Sequence, residues 1–514
     1  MASAQKNDWF LGVDLGTGSC KAVIVDATAR VLGFGVSAYP AAESPTAWKE
    51  PDPEALLDGM IRSTRQAIEQ ADVSAGRCRA MSVGSALHSL IAIGRSGKPL
   101  TGVLTWVDNR ADRQAAAVRD TKAARRLYQQ TGCPAHSLYP LYKIIWLREA
   151  RSDVFEKTAR FVSAKDYLIN RLTGQWLTDV GIASGSGLLN VYDLNWDPEA
   201  LALAGIDSGR LAGLASPWHL LSGINPKIAS QMGIPAGTPL VMGSSDAVNS
   251  SLGAGAVDSN CATCMVGTSG AFRIISPEAL LDASERSWCY AIDESHWLMG
   301  GAVNNGGIVL SWFKDALNQA FLAESESGKI TFDDLIRRAD IVGPGAGGLI
   351  SLPFLVGERS PNWNMNARGV FFGLTLQHDT GHMARALLEG VAYRLRSVAE
   401  VLDDMGCEIR EIRASGGLVR SKVWPRIMAD VFGLELKIPD WGETSSMGAA
   451  LWAMLGTGVI GSIDDIKDLI PLKRSFTPVE ENVQCYDELY GMYKDLYTAV
   501  RPSFDRIARF QKKS

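Results

Sequence analysis

The chain has 514 residues, more than one hydrophobic core usually serves, so its length predicts at least two domains. Hydrophobic residues make up 46% and charged residues 21%, as in globular proteins, and the formal net charge of −5 argues against a nucleic-acid partner. No stretch approaches the roughly 18 apolar residues of a membrane span, so no membrane partner is expected. The cysteines are scattered, as expected for reduced thiols in the cytoplasm.

The first predicted elements are two strands joined by a glycine-rich turn. Residues 12–26 read GVDLGTGSCKAVIVD, with apolar segments on both sides of the turn Gly16 to Ser19. The glycine spacing fits neither a Walker loop nor a dinucleotide fingerprint, and CKAVIVD is too short and too β-rich for a helix. A strand, a tight turn and a second strand are therefore predicted, with VLGFGVSAYP (31–40) as a third strand. Such a turn presents consecutive backbone N–H groups to an anion.

A helix is predicted next, over DPEALLDGMIRSTRQAIEQA (52–71). Asp52 is suited to cap its N-terminus and Pro53 to occupy the first helical position.

A second hairpin is predicted about 250 residues after the first. CATCMVGTSGAFRIIS (261–276) again places a Gly-Thr turn, here Gly267 to Gly270, between two apolar segments. Two matching hairpins indicate a duplicated domain, and one phosphate-binding turn in each half indicates a nucleotide held between the halves.

Helical patterns dominate the rest of the chain. HMARALLEGVAYRLRSVAEVLDDMGC (382–407) has one apolar face and ends near Gly406. SMGAALWAMLGTG (446–458) is rich in small residues and is expected to pack closely on a sheet or a nucleotide. The aromatic stripe of DELYGMYKDLYTAVRPSF (487–504) is interpreted as core packing. Strands alternating with helices predict an α/β fold.

Several blocks between residues 9 and 457 resemble, in shared order, the FGGY family of carbohydrate kinases. The blocks besides the first hairpin are GSALHSLIAI (84–93), TWVDNR (105–110), PLYKIIWL (140–147), GSSDAV (243–248), VGTSGAFR (266–273), PFLVGERSP (353–361), RGVFFGLTLQH (368–378), RALLEGV (385–391) and ASGGLVRSKVWPRIMADVF (414–432). The resemblance implies duplicated actin/hexokinase-like (ribonuclease H-like) ATPase domains with an interdomain cleft. The expected domains are 9–253 for the sugar and the first hairpin, 254–460 for the nucleotide and the second hairpin, and 461–514 as a helical extension.

Asp246 matches the catalytic base of that family. Phosphoryl transfer to a hydroxyl depends on positioning and charge neutralisation, and a carboxylate within hydrogen-bond reach suffices to accept the proton. The small residues around Asp246 in GSSDAV leave room for a substrate.

Asp14 is expected to meet the phosphates of ATP through Mg²⁺, because a carboxylate beside a triphosphate needs a cation between them. Lys21 invites comparison with a Walker lysine, but it alternates out of its strand and is expected to be solvated.

The residues expected to bind ATP lie in both halves. Donors to the phosphates are expected from Thr17, Gly18 and Ser19 and, across the cleft, from Gly267, Thr268 and Ser269. By resemblance, the adenosine lies along Gly307, Gly416, Gly417 and Ser421.

The sugar is expected against the first half. Leu87 and His88 match a Met-His pair that the family places beside its substrate, and Trp106 is suited to pack on a polyol. An ion pair between Asp108 and Arg110 is expected to hold the Trp106 loop. Glu358 and Arg359 are expected to shape the wall of the site or the hinge.

Within the family, the blocks are most similar in sequence to those of gluconate kinases, which implies ATP-dependent conversion of D-gluconate to 6-phosphogluconate. Leu87 in place of Met, and Ala247 where the family often has Gly, Asn or Gln, put the sugar in doubt. A xylulokinase or another pentulose or polyol kinase is therefore the alternative. A non-metabolic actin-like or chaperone-like ATPase is an alternative from another class, and a homodimer is left open.

Overall fold

The structure is a computed structural model that describes residues 8–40, 50–321 and 329–511. Within these ranges, no helix is both long enough and apolar enough to cross a membrane.

The first half of the described chain contains strands β1–β10 and helices α1–α10. The strands are Trp9–Leu15, Ser19–Asp26, Val31–Ala38, Cys78–Ser85, Ile91–Gly94, Thr158–Val162, Leu177–Asp179, Gly213–Ala215, Leu220–Leu221 and Leu240–Val241. The helices are Pro53–Ala71, Asp112–Val118, Lys122–Thr131, Pro140–Ala150, Ser152–Lys157, Ala164–Thr173, Val180–Ser184, Pro198–Ala204, Pro226–Met232 and Asp246–Gly253.

The second half of the described chain contains β11–β19 and α11–α16. The strands are Cys261–Val266, Gly270–Ser276, Trp288–Ala291, Trp297–Val303, Ile350–Leu352, Val370–Phe372, Glu411–Gly416, Glu435–Pro439 and Leu472–Phe476. The helices are Ile308–Phe321, Phe332–Val342, Thr380–Asp404, Val423–Phe432, Thr444–Gly456 and Glu480–Gln511.

The two large sheets repeat one topology, which confirms the duplication. The first has the order β3-β2-β1-β4-β10-β9, and the second has the order β13-β14-β12-β11-β17-β18-β19. In each, a central strand pairs antiparallel with the strand after its Gly-Thr turn and parallel with a strand on its other side. The pattern continues outward in both sheets. On one side β3 and β14 pair antiparallel with β2 and β12, and on the other side β10 and β18 pair parallel with β4 and β17. The two Gly-Thr turns therefore occupy equivalent positions in the two halves.

Helices α10 and α15 pack together through glycines. A Cβ on Gly253 would lie 1.9 Å from Thr444 O, and a Cβ on Gly448 would lie 2.0 Å from Asn249 O. Helix α15 also contacts β1, where a Cβ on Gly12 would lie 2.3 Å from the backbone of Ser446 and Ala450. The small-residue helix predicted at 446–458 therefore packs on a sheet, and it also packs on α10, the helix that begins at Asp246.

The local predictions agree with the structure in most places. Asp52 caps α1 by accepting a hydrogen bond from Glu54 N at 3.0 Å. The aromatic stripe of α16 lies in the core of the second half, with Tyr486, Tyr490 and Tyr493 buried. The C-terminal extension differs in one respect, since it adds β19 to the edge of the second sheet and is not only helical. The domain limits themselves stay a prediction.

Candidate active site

The first hairpin turn closes between β1 and β2, with Gly16 N donating to Ser19 O at 3.0 Å. Thr17 and Gly18 at its tip are exposed, and Ser19 is partly exposed. Thr17 Oγ1 accepts a hydrogen bond from Trp106 Nε1 at 2.9 Å. The turn is therefore open to a ligand and is joined to the loop that carries Trp106.

The second hairpin turn closes between β11 and β12, with Gly267 N donating to Ser269 O at 2.9 Å. Thr268 at its tip is exposed. The start of α11 packs directly on this turn, because Gly307 N donates to Gly267 O at 2.7 Å. A Cβ on Gly307 would lie 2.8 Å from that same oxygen, so a larger residue would push the turn away.

Gly416 joins the same end of the second sheet. It pairs with Val266, the residue before the turn, and its φ of +82° with a Cβ position 2.6 Å from Val266 O requires glycine. Gly417 follows it and is exposed. Ser421 lies beyond this turn, where its Oγ accepts a hydrogen bond from Trp424 N at 3.3 Å at the start of α14. The structure thus brings the glycines predicted to bind adenosine beside the second hairpin.

Asp14 lies on β1, one residue from the end of the strand, and is buried. Its Oδ1 has no hydrogen-bond partner in the part of the chain that the structure describes. Burial, and then the negative charges of Asp246 and Glu443, raise the pKa of Asp14 to about 7, although Lys21 acts in the opposite direction. A cation bound here would relieve both the burial cost and the repulsion between the carboxylates.

Lys21 departs from its prediction as a solvated residue. It faces Asp14 across the hairpin and forms an ion pair with Glu443, with a third of its side chain exposed. Glu443 is 422 residues away in sequence, so the sequence alone offered no partner.

Asp246 is the first residue of α10. Ser245 caps that helix by accepting a hydrogen bond from Val248 N at 3.3 Å, and the N-terminal end of a helix favours a negative charge. Burial raises the pKa of Asp246, while the charge of Arg273 and the backbone N–H groups of Ala247 and Leu87 act against that increase. The net effect is a raised pKa, which these groups limit but do not reverse.

His88 and Leu87 follow the central strand β4. His88 has a φ of +67°, a conformation that is uncommon for residues other than glycine and that is concentrated at functional sites. Its Nδ1 lies 2.6 Å from Gly185 O, and because a carbonyl only accepts, Nδ1 carries the proton and Nε2 is left as an acceptor. Burial lowers the pKa of His88 to about 3, so the ring is neutral.

Lys143 connects the loops that carry His88 and Trp106. Its Nζ is fully buried and donates to His88 O at 2.6 Å and to Thr105 O at 2.8 Å. Burial lowers the pKa of Lys143 to about 7.

The predicted ion pair between Asp108 and Arg110 is present at 2.7 Å, two and four residues after Trp106. The predicted sugar-facing loops are therefore braced by buried charges.

One cavity of about 230 Å³ brings together predicted residues from both halves. Its lining includes Thr17, Leu87, His88, Trp106, Asp246 and Ser269. Asp14 is not part of this lining, but it lies close enough to Asp246 for the charge of Asp246 to raise the pKa of Asp14. The other predicted residues grouped around the second hairpin also lie outside the lining.

Several larger residues of the cavity, Trp288 among them, were not among the predicted site residues. Arg273, Tyr290 and Trp363 were not singled out, and Arg359 was expected only in the wall. For Arg273 a signal existed, because it is the one charged residue in the otherwise apolar strand GAFRIIS. Tyr290 and Trp363 carry no such signal, since only the fold brings them to the cavity.

Comparisons with known proteins show which family the chain resembles. The family model for the N-terminal domain of the FGGY carbohydrate kinases matches residues 9–253, and the model for the C-terminal domain matches residues 262–457. A gluconokinase from Bacillus subtilis (strain 168) is 36% identical over 98% of this chain and 98% of its own.

Two solved structures from Lactobacillus acidophilus superpose equally well. A gluconate kinase has a TM-score of 0.91 and 30% identity, covering 97% of this chain and 99% of its own. A xylulose kinase has the same TM-score and identity, covering 97% of this chain and 100% of its own. On the two domain matches and these full-length similarities, the chain belongs to the FGGY family of carbohydrate kinases.

Proposed function

We propose that this chain is a gluconokinase, which transfers the γ-phosphoryl group of ATP to the terminal hydroxyl of D-gluconate and forms 6-phosphogluconate. The observation that carries the proposal is the shared cavity, in which a carboxylate at a helix N-terminus, Asp246, faces residues of both hairpin turns. The full-length similarity to the Bacillus subtilis gluconokinase supports the choice of sugar. Membership of a carbohydrate kinase family argues against the non-metabolic ATPase alternative.

Asp246 acts as the general base in this proposal. It accepts the proton of the terminal hydroxyl as the bond to phosphorus forms. Arg273 lies close enough to lower its pKa, and the backbone N–H groups of Ala247 and Leu87 act in the same direction. Burial has the larger effect, and a carboxylate with a raised pKa is a stronger proton acceptor.

The phosphates of ATP bind between the two hairpin turns. Thr17, Gly18 and Ser19 offer donors from the first turn, and Gly267, Thr268 and Ser269 offer donors from the second. The adenosine lies along Gly307, Gly416, Gly417 and Ser421, where the absence of side chains on the glycines lets a flat group approach the backbone.

Asp14 is the residue proposed to hold Mg²⁺. Its buried Oδ1 has no hydrogen-bond partner among the described residues, and two further carboxylates repel its charge, so the site fits a divalent cation. Within the described chain, no group of three or more His, Cys, Asp or Glu side chains gathers around a point. That suits an ion whose remaining ligands are phosphate oxygens and waters. When bound, Mg²⁺ supplies charge neutralisation to the phosphates.

The sugar binds against Leu87, His88 and Trp106. His88 Nε2 is free to accept a hydrogen bond from a substrate hydroxyl, because Nδ1 is engaged by Gly185 O. One face of the Trp106 ring is covered by Arg359 at 4.8 Å, which leaves the other face for the carbon chain of the substrate.

Xylulokinase is the second candidate, because the xylulose kinase structure superposes as well as the gluconate kinase structure. A coupled assay of ATP consumption with gluconate, xylulose, ribulose, glycerol and erythritol separates the two. We expect the highest kcat/KM with gluconate. A higher kcat/KM with xylulose would replace the proposal by the second candidate, and ATP consumption that no sugar stimulates would contradict both. The homodimer and the cytoplasmic location stay predictions, which light scattering and cell fractionation test.

A further inference from the structure

The cavity contains two arginine side chains that are almost completely buried. Arg273 on β12 is 7% exposed, and Arg359, which follows β15, is 9% exposed. Both line the cavity that contains Asp246. A buried guanidinium is costly unless its charge and its donors are matched, so two of them in one cavity call for a partner.

The protein itself satisfies these guanidinium groups only in part. Arg273 donates to Ala247 O at 3.2 Å, and Arg359 donates to Val303 O at 3.2 Å. The Nε of each is buried and has no hydrogen-bond partner among the described residues. In the same part of the chain, neither arginine forms an ion pair with a carboxylate. The carboxylate beside Arg359 in sequence, Glu358, contacts Arg394 at 3.7 Å and Asn305 at 3.2 Å instead.

Arg273 interacts electrostatically with both Asp246 and Arg359. Asp246 and Arg273 influence each other, and the positive charge of Arg273 adds to burial in lowering the pKa of Arg359. All three side chains line the same cavity. With His88 neutral, the titratable side chains lining the cavity sum to one positive charge when Asp246 is ionised.

We propose that Arg273 and Arg359 form a subsite for the carboxylate of a sugar-acid substrate. This inference rests on the proposed function and names the residues that select an aldonate over a neutral ketose or polyol. The terminal hydroxyl of the substrate meets Asp246, and its carbon chain runs towards the arginines, whose planar donor groups match a carboxylate. The aromatic walls from Trp106, Tyr290 and Trp363 exclude water and strengthen this interaction.

Calorimetry with two ligands of equal chain length tests the subsite. D-Gluconate carries the carboxylate, whereas D-glucitol carries a hydroxymethyl group in its place. For Arg273→Met and for Arg359→Met, we expect the Kd of gluconate to rise roughly 10- to 100-fold, the range for a hydrogen-bonded charge. The Kd of glucitol should rise by a clearly smaller factor, because glucitol has no carboxylate for the subsite to bind, and the KM of ATP should change less than about threefold.

Arg413→Met is the matched control. Arg413 lies on β17 in the same sheet as Arg273, is partly buried and pairs with Glu411 away from the cavity. We expect it to leave the ratio of the two dissociation constants unchanged. Where a methionine variant no longer binds ATP, the corresponding lysine variant is measured instead. Lysine keeps the charge but loses the planar donor pair, so the ratio should fall between those of wild type and a neutral residue.

The outcomes separate this inference from the proposed function. A wild-type enzyme that phosphorylates gluconate, with variants whose ratio of dissociation constants is unchanged, overturns the subsite alone. A change in only one of the two arginine variants overturns the paired subsite. An equal loss of affinity for gluconate and glucitol overturns the subsite by assigning the arginines to general positioning. A raised KM for ATP overturns it by assigning them to the phosphates. A wild-type enzyme that neither binds nor phosphorylates gluconate overturns both.

Discussion

Replacing Asp14 by asparagine should make the metal-free protein more stable at alkaline pH. Burial and the neighbouring carboxylates raise the pKa of Asp14 from 3.8 to about 7, so the fold favours the protonated form. The contribution of Asp14 to the free energy of unfolding is therefore highest below pH 4 and is lost as the pH rises through 7. Each pH unit between the unfolded and folded pKa values costs about 1.36 kcal/mol, so that loss amounts to about 3 kcal/mol between pH 5 and pH 8. The side-chain amide of the Asp14→Asn variant has no proton to lose in this range.

Thermal unfolding in EDTA at pH 5 and pH 8 measures this difference. The unfolding midpoint of wild type should fall relative to that of Asp14→Asn by roughly 5–10 °C over this range, for a domain of about 250 residues. With ADP present, replacing EDTA by Mg²⁺ at pH 8 should stabilise wild type more than Asp14→Asn.

Asp26→Asn, at the end of β2, is a control of opposite sign. Although burial alone would raise it, hydrogen bonds from Thr28 and Arg30 lower the pKa of Asp26. This substitution should therefore cost stability at pH 8 and less at low pH. If the unfolding midpoints of wild type and Asp14→Asn change equally between pH 5 and pH 8, the reasoning about Asp14 is refuted.

Two further substitutions test the packing and the loops of the site. Gly253→Ala should lower the unfolding midpoint and kcat, because the added Cβ would lie 1.9 Å from a backbone oxygen of α15 and overpacking costs roughly 1–3 kcal/mol. Gly237→Ala is the control, because a Cβ on Gly237 would have no atom within 4 Å. Equal unfolding midpoints for the two variants would contradict the packing described for Gly253. Lys143→Met removes the bonds to His88 O and Thr105 O and should raise the KM for gluconate about tenfold, with the KM for ATP unchanged. A change confined to the KM for ATP would contradict the role given to Lys143.

The sequence was sufficient wherever a signal is local. The Gly-Thr turns between apolar segments predicted both hairpins, and the repeat of that pattern predicted the duplicated sheets. Asp246, His88 and Trp106, which line the cavity, were predicted because each lies in a short block that resembles the family.

The sequence was insufficient where the fold joins distant segments. Lys21 was expected in solvent, but α15 brings Glu443 to it from the other half of the chain. Tyr290 and Trp363 enter the cavity from loops and strands far from Asp246 in sequence. Burial also decides the state of Asp14 and His88, and no local pattern reveals how much water a side chain loses on folding.

Asp246→Asn in a single-turnover experiment tests the central claim most directly. With saturating ATP and gluconate, a rapid-quench measurement follows the phosphoryl transfer step itself, while calorimetry follows the Kd of ATP. The substitution keeps the shape of the side chain but removes the proton acceptor. We therefore expect the rate to fall roughly 10²- to 10⁴-fold, with the Kd of ATP changed less than about threefold. A rate within tenfold of wild type would contradict the role of Asp246 as the base and, with it, the mechanism proposed for this kinase.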